Sequence, residues 1–418
     1  MFKWLRDYLY FLRRCFVLSF QGGGLFYAWM TALTALVLIG VHAYCKQWVH
    51  GLSTTGMSDH VSWGLYIANF VYLVGMAAAA VMLVIPVYIY KNEDLHDVVI
   101  FGELFSIAAI VMCLLFVTVD LGRPDRFWHL IPGIGRFNWP ISMLSWDVIV
   151  LNVYLLLNLH ICGYLLYMKY LGRKPSPSLY IPFVFVSIFW AVSIHTVTAF
   201  LLAGLASRPF WNSAIMGPRF IASAFAAGPA FIVLTLQVIR AFTCYRIPDS
   251  ALFMLRRIIQ VAMIISVFLL GNEVFKEFYT DTLHNASAKY LFFGLHGHQA
   301  LVPWIWTAIA FNLTAMILLM LPLSQKLPYL NIACLLTVVG IWIEKGVGLI
   351  IPGFIPTPLG EIVEYVPSLN EIFICAGIWA FGFLLYTVLL RISIPILSGR
   401  LHIPLKYTQR LQDGNSRR

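Results

Sequence analysis

Long apolar runs, separated by short stretches that carry charge, glycine or proline, dominate the chain. A membrane core about 30 Å thick is crossed by about 20 residues of α-helix. Ten runs reach this length, at about 24–45, 63–90, 97–120, 142–168, 180–205, 218–245, 252–280, 298–322, 329–352 and 370–397. They are too long for the alternating strands of a membrane barrel. The pattern therefore predicts an all-α, polytopic integral membrane protein.

The composition agrees with this prediction and narrows the function. Hydrophobic residues make up 61% of the chain and charged residues 11%, whereas soluble domains have roughly 25% charged residues. This excludes a soluble enzyme, a disordered chain and a secreted disulfide scaffold. In a membrane protein, the positions of the cations behind the net charge of +10 indicate which segments face the cytoplasm.

The cations indicate an orientation. Lys and Arg concentrate before the first span and after the tenth, and cytoplasmic segments are enriched in these residues. We therefore predict a cytoplasmic (inner) membrane protein with both termini in the cytoplasm. Residues 1–23 alternate apolar side chains with cations, which predicts a cytoplasmic interfacial segment. Residues 398–418 form a basic cytoplasmic tail, and the longest loops fall on the outer side.

Ionisable residues inside spans are costly and therefore mark candidate sites. In the predicted topology, most lie near the outer ends: His60, Asp120, Asp147, Glu273, Lys276, Glu344 and Lys345, with Tyr66 beside them. Glu103, His160 and Arg240 lie near the inner ends. Several spans could therefore contribute polar side chains to one pocket close to the outer face.

The second span opens with four polar or aromatic residues on one broad helical face. His60, Trp63, Tyr66 and Asn69 recur at steps of about three residues. The alternative for Trp63 and Tyr66 is an aromatic belt at the membrane interface.

The third loop brings opposite charges together. Its sequence DLGRPDRFWHL holds Asp120, Arg123, Asp125 and Arg126, and it leads through FNWPISMLSWD to Ser145 and Asp147. A loop cap held by salt bridges is one interpretation. The other is a site that exchanges protons with a ligand at the membrane edge. A quinone needs an apolar slot, aromatic packing and a polar group at each carbonyl, and His60, Tyr66, Asp120, Arg123 and Asp147 are of suitable types.

The sequence encodes no recognisable redox centre or nucleotide site. Each of the seven cysteines stands alone, without a C-x-x-C pair, so no iron–sulfur cluster or covalently attached haem is predicted, and no metal ligands are assigned. A Walker A sequence is also missing. Haem b stays an alternative, with His42, His160 and His195 as candidate ligands. However, the depths of His160 and His195 differ by roughly 10 Å, which argues against a shared haem.

Several motifs together resemble the NrfD/polysulfide-reductase membrane-subunit family. They are the loop DLGRPDRFWHL with FNWPISMLSWD, the openings SDHVSWGLYIANFVYLVGMAAAA and GPRFIASAFAAG, and the stretch IPTPLGEIVEYVPSLNE. The resemblance covers roughly 24–397. Within the family, the second to fourth spans are most similar to DsrP-type subunits of sulfite-reduction-associated Dsr complexes, followed by Hmc-type subunits.

The resemblance implies a fold of two four-helix bundles with flanking helices, here at about 63–205 and 218–352. It implies a subunit of a respiratory membrane oxidoreductase, linked to sulfur metabolism, that exchanges electrons between menaquinone (or another quinone) and a periplasmic ferredoxin-like iron–sulfur subunit. A multihaem cytochrome c and further membrane or cytoplasmic redox subunits complete the expected complex.

Carried over to this chain, the family pattern implies quinone contacts from His60, Trp63, Tyr66, Asn69, Arg123, Arg126 and Ser145. The residues that would exchange protons with the quinone are His60, Tyr66, Asp120 and Asp147. Two other functions stay open. One is a proton- or ion-translocating subunit or secondary transporter. The other is a structural anchor, which has no need of several buried ionisable residues.

Overall fold

The computed structural model describes residues 2–89, 95–243, 245–279 and 285–402. Within these ranges, ten helices are long and apolar enough to cross a membrane, as predicted. These spans one to ten are Gly24–Thr54, Leu65–Ile89, Val98–Asp120, Met143–Tyr170, Pro177–Ala203, Met216–Phe242, Asp249–Tyr279, Val302–Met320, Leu327–Phe354 and Leu369–Leu397. The chain is a multi-pass integral membrane protein. The expected ends at 90 and 280 lie outside the described residues.

Span one extends past its predicted end at residue 45. The sequence beyond it is polar, but the helix continues because Gln47 finds buried partners there. Its Nε2 donates to the Val119 carbonyl over 2.6 Å, and only 4% of the residue is exposed. A buried polar side chain with hydrogen bonds is compatible with a membrane helix.

Spans two to five pack around one another as one four-helix bundle, and spans six to nine form the second. Spans two and six meet at the junction of the bundles, where a side chain on Gly75 would contact Ala224. This is the grouping that the resemblance implies. The proposed domain boundaries remain a prediction.

Spans one and ten pack against each other outside the bundles, and span ten also packs against span three. The close approach requires two glycines, since a Cβ on Gly40 would lie 2.7 Å from the Cα of Gly377, and the converse also holds. Small residues at such contacts let helix backbones approach closely in membranes.

The N-terminal helix Phe2–Ser19 is amphipathic. Phe11 and Cys15 are buried, and the Phe11 ring packs on Tyr167 and Tyr170 at the end of span four. Phe16 is 66% exposed. A position at the membrane interface remains a prediction. Of the predicted tail, residues 403–418 lie outside the described part.

Successive helices alternate in direction, which gives the molecule two ends. The connections 55–64, 121–142, 204–215, 285–301 and 355–368 share one end, which we call the loop end. The other is the tail end. At its loop-end side, span nine departs from regular α-helix and forms a π-helical segment, Trp342–Val347.

Candidate functional site

A hydrogen-bonded chain joins spans one, two and three at the loop end. Tyr66 is fully buried, and its hydroxyl donates to Gln47 Oε1 over 2.7 Å. Gln47 in turn donates to the Val119 carbonyl, one residue before Asp120. Tyr66 and Asp120, both predicted as site residues, are thus brought to the same place.

Glu371 lies beside this chain at the start of span ten, fully buried. Its carboxylate accepts hydrogen bonds from the backbone N–H groups of Gly56 (3.0 Å) and Leu65 (3.2 Å) and from the Tyr365 hydroxyl. It also closes a capping box with Ser368, whose hydroxyl accepts from the Glu371 N–H. One carboxylate therefore fixes the start of span ten against the start of span two.

Two polar atoms in this region have no hydrogen-bond partner among the described residues. They are Asp120 Oδ1 and the Tyr44 hydroxyl, both inaccessible to solvent. Asp120 interacts electrostatically with Glu371, and both Asp120 and Tyr44 interact with Tyr66. Tyr44, Gln47, Tyr66, Asp120, Tyr365 and Glu371 are called the loop-end cluster below. Buried polar groups are usually paired, so the unpaired acceptor and hydroxyl are free to bond a polar ligand.

Asn69 lies one helical turn below Tyr66 and holds three spans together. Its Oδ1 accepts from the indole N–H groups of Trp342 (3.0 Å) and Trp379 (2.9 Å). Its Nδ2 donates to the Leu65 carbonyl at 2.8 Å. The amide is therefore fully used within the protein, and its visible role is to join spans two, nine and ten.

Trp63 faces the second bundle. Its ring stacks on Trp211 at 5.6 Å between centroids, and it meets Phe354 edge-on at 5.9 Å. Trp211 is fully buried, and its indole donates to the Leu349 carbonyl over 2.7 Å. This aromatic group lies at the junction of the bundles rather than on a membrane-facing belt.

His60, Arg123 and Arg126 are exposed on the loop end. Arg123 forms a bidentate pair with Asp125, with both N···O distances at 3.1 Å. This pair raises the pKa of Arg123, while the hydrogen bond from Arg123 lowers the pKa of Asp125. The structure does not bring these three residues into the buried loop-end cluster.

Ser145 and Asp147 lie at the start of span four, within the first bundle. The Ser145 hydroxyl donates to the Phe137 carbonyl. Asp147 Oδ1 accepts from Thr198 of span five over 2.9 Å, and Oδ2 has no partner among the described residues. Asp147 is 1% exposed.

A second buried polar group lies in the second bundle. Arg219 of span six pairs with Glu273 of span seven and, at 2.9 Å, with Glu344 of span nine. Asn312 of span eight donates to Glu344 Oε2 at 2.8 Å. Lys345 is also buried, with its ammonium 5.2 Å from the centre of the Phe220 ring. Arg219, Glu273, Glu344 and Lys345 are called the charged cluster below.

Two of the three histidines considered for haem form hydrogen bonds within the protein. His195 Nδ1 hydrogen-bonds the Ala191 carbonyl at 2.8 Å, and His160 Nε2 the Leu179 carbonyl at 2.9 Å. His42 is exposed. Glu103, the predicted inner carboxylate, accepts from the Cys162 thiol at 3.1 Å. In the described part of the chain, no three His, Cys, Asp or Glu side chains are grouped as metal ligands.

At the loop end, the surroundings shift the pKa values of two residues that lie outside the spans, Tyr365 and Glu364. Burial, followed by the nearby Glu371 carboxylate, raises the pKa of the Tyr365 hydroxyl. For Glu364, burial acts to raise the pKa. The hydrogen bonds from Ala300 N–H, His298 and Tyr290 outweigh it, so the pKa lies below its usual value.

Sequence reasoning did not single out Gln47, Glu371, Tyr44 or Arg219. Gln47 and Tyr44 lie at the polar end of span one, where the apolar run had ended. Glu371 and Ser368 do carry a signal, since Ser-x-x-Glu before an apolar run is a capping box. Arg219 stands in the GPRFIASAFAAG motif, so its position in a buried span was visible although its two carboxylate partners were not.

Comparison with known proteins supports the resemblance. The family model Polysulphide reductase, NrfD matches residues 53–357. The chain is 26% identical to a putative dimethyl sulfoxide reductase membrane subunit of Halobacterium salinarum over 78% of this chain and 77% of the relative. It is 23% identical to an Hdr-like menaquinol oxidoreductase integral membrane subunit of Archaeoglobus fulgidus over 87% and 92%.

A shorter match, 31% identical, covers 31% of this chain and 29% of a selenate reductase subunit of Mesobacillus selenatarsenatis. These relatives are subunits of different oxidoreductases, and they do not single out the DsrP type. The family model covers most of the chain, including the loop end of both bundles. The chain therefore belongs to the NrfD/polysulfide reductase family of membrane subunits.

Proposed function

We propose that the chain is the quinone-exchanging membrane subunit of a respiratory oxidoreductase complex. The observation that carries this proposal is the pair of unpartnered buried atoms in the loop-end cluster, Asp120 Oδ1 and the Tyr44 hydroxyl. A quinone carbonyl can accept from a phenol, and a quinol hydroxyl can donate to a carboxylate. The similarity to a menaquinol oxidoreductase subunit supports menaquinone as the quinone.

The residues of the cluster have distinct proposed roles. Tyr44 and Tyr66 orient the head group through their hydroxyls, and Asp120 exchanges a proton at Oδ1. Gln47 and Glu371 hold these groups in place. A bound quinone supplies the two-electron, two-proton redox chemistry. Asp147, with its free Oδ2, and the exposed His60, Arg123 and Arg126 stay proposed as further proton-exchanging or binding groups.

The electron partner is proposed to dock on the loop end. Apolar side chains of the third loop are exposed there: Ile141 is 90%, Ile134 67%, Phe127 55% and Trp139 53% exposed. Since the cysteines are isolated in sequence, the redox centre would belong to a partner. We propose an iron–sulfur subunit on the periplasmic side, a multihaem cytochrome beyond it, cytoplasmic termini, and a Dsr-type link to sulfur metabolism.

Binding of a water-soluble menaquinone analogue to the purified full-length chain in detergent tests the site. Tyr66→Phe and Asp120→Ala each remove the polar group that is proposed to contact the quinone, so each is expected to raise the Kd about tenfold. Tyr27→Phe is the matched control, because this hydroxyl bonds the Phe20 carbonyl at the tail end. Unchanged affinity in both loop-end variants would contradict the proposed site.

A further inference from the structure

The charged cluster lies in the second bundle and shares no residue with the loop-end cluster, so the proposed quinone exchange does not use it. Its four side chains are between 3% and 5% exposed. Burial of ionised groups is costly unless the charges are compensated within the protein. The balance of charge in the cluster therefore restricts which protonation states it can adopt.

Two cations, Arg219 and Lys345, stand against two carboxylates, Glu273 and Glu344. Their charges cancel when all four groups are ionised. They cancel equally when one proton moves from Lys345 to a carboxylate, because that move changes no net charge. Lys345 interacts electrostatically with Arg219 and Glu344. A proton shift inside the cluster thus avoids the cost of a net buried charge.

Two small cavities border the cluster on different sides. Glu344, Glu273 and Glu277 line one, which lies toward the loop end. Lys345, Tyr72 and Ser223 line the other, between the two bundles. Each has room for about one water molecule. Glu277 also pairs with the half-exposed Lys276 at 3.1 Å, so the first cavity adjoins the surface of the molecule.

Lys345 Nζ has no hydrogen-bond partner among the described residues, although it lines the cavity between the bundles. An ammonium carries three donors, and a buried one without acceptors indicates a water in that space. Tyr72 does not serve as its acceptor, since its own hydroxyl donates to the Val338 carbonyl at 3.0 Å.

Glu344 and Lys345 reach different cavities because consecutive residues of a helix point about 100° apart. Both residues lie within the π-helical segment Trp342–Val347. Single π-turns occur frequently at functional sites.

We propose that Glu344 and Lys345 form a proton-transfer site that connects the two cavities. A proton leaves Lys345 Nζ for a bridging water, and this water gives a proton to a Glu344 carboxylate oxygen, so that one N–H bond breaks and one O–H bond forms on the carboxylate. The carboxylic acid then releases its proton to water in the loop-end cavity. The neutral amine takes a proton from water between the bundles. No electron is exchanged, and the route runs in either direction.

Infrared spectroscopy of the full-length chain in lipid nanodiscs tests the charge balance. Lys345→Met removes one cation, so one carboxylate should bind a proton, and the carbonyl band of one carboxylic acid per chain should appear at neutral pH. Lys345→Arg keeps the cation and should show no such band. Lys326→Met, at an exposed lysine, is the control. Adding Glu344→Gln to Lys345→Met should abolish the band.

Transfer to D2O tests the water route in the same samples. The acid band of Lys345→Met should shift within minutes as deuterium enters from the cavities. Absence of the acid band would overturn the proposal, and so would a band that stays unshifted for days. Where Lys345→Met does not fold, Lys345→Gln takes its place with the same expected results. Quinone binding enters neither readout.

Discussion

Glu371 shows how much of the loop end depends on single buried side chains. Its carboxylate accepts hydrogen bonds from the backbone N–H of Gly56 before span two, from the N–H of Leu65 at its start, and from the Tyr365 hydroxyl. A carboxylate that satisfies several buried donors stabilises the fold mainly because its loss leaves them unpaired. The residue thus fixes the start of span two, which carries Tyr66.

Glu371→Ala should therefore lower the free energy of unfolding by about 3 kcal/mol, since an unpaired buried donor costs about 1–3 kcal/mol. Unfolding of the purified protein in detergent micelles measures this change. Glu361→Ala, at an exposed position in the same loop, should change stability by less than about 0.5 kcal/mol. Equal stability of the two variants would show that the hydrogen bonds to Glu371 contribute little.

A pH dependence is expected from Glu364 in the adjoining loop. The folded state lowers its pKa, so its contribution to stability is present above the ordinary carboxyl pKa of about 4.3. That contribution is lost as the pH falls through the lowered value. Protection of the Ala300 amide, which donates to Glu364 at 3.0 Å, should decrease in this acidic range.

Hydrogen exchange of residues 294–301, corrected for intrinsic rates, measures this protection. Glu364→Gln should reduce protection at neutral pH and remove its dependence on acid, because the amide keeps an acceptor but carries no charge. A wild-type acid dependence that persists in Glu364→Gln would assign the effect to another group.

At the scale of helices, the spans could be predicted closely and their contacts could not. Hydropathy identified all ten spans, because twenty apolar residues have few alternatives to a membrane helix. The extension of span one was missed because the acceptor of Gln47 is a carbonyl on span three. The π-turn in span nine and the two carboxylate partners of Arg219 likewise depend on neighbouring helices.

The site shows the same division. Spacing along span two predicted that Tyr66 and Asn69 share a face, and both lie in the interior. The spacing did not show that Asn69 accepts hydrogen bonds from Trp342 and Trp379. Nor did it distinguish the half-buried Asp120 from the neighbouring Arg123 and Arg126, which are exposed.

The contact between spans one and ten gives a prediction for a helix pair. Gly377→Val should force the two backbones apart, since even a Cβ would lie 2.7 Å from the Gly40 Cα. Overpacking of this kind costs about 1–3 kcal/mol, which thermal unfolding in detergent would detect. Gly163→Val in span four is the matched control, because nothing lies within 4 Å of its Cβ position. Equal losses from both variants would contradict this assignment.

At the scale of the molecule, the two bundles carry different chemistry. The first bundle and the spans beside it place phenols, two carboxylates and unpaired polar atoms at the loop end. The second encloses paired charges between its helices. The family match covers most of the chain, whereas the proposed quinone site depends on the loop-end cluster and on the similarity to a menaquinol oxidoreductase subunit.

Covalent labelling with a photoreactive menaquinone analogue tests that assignment most directly. Irradiation of the membrane-embedded full-length protein, followed by peptide mapping, should place the label on loop-end segments of spans one to three, near Tyr44, Tyr66 and Asp120. An excess of unmodified menaquinone should prevent labelling. Labelling that quinone displaces only from the second bundle or the tail end would contradict the proposed site.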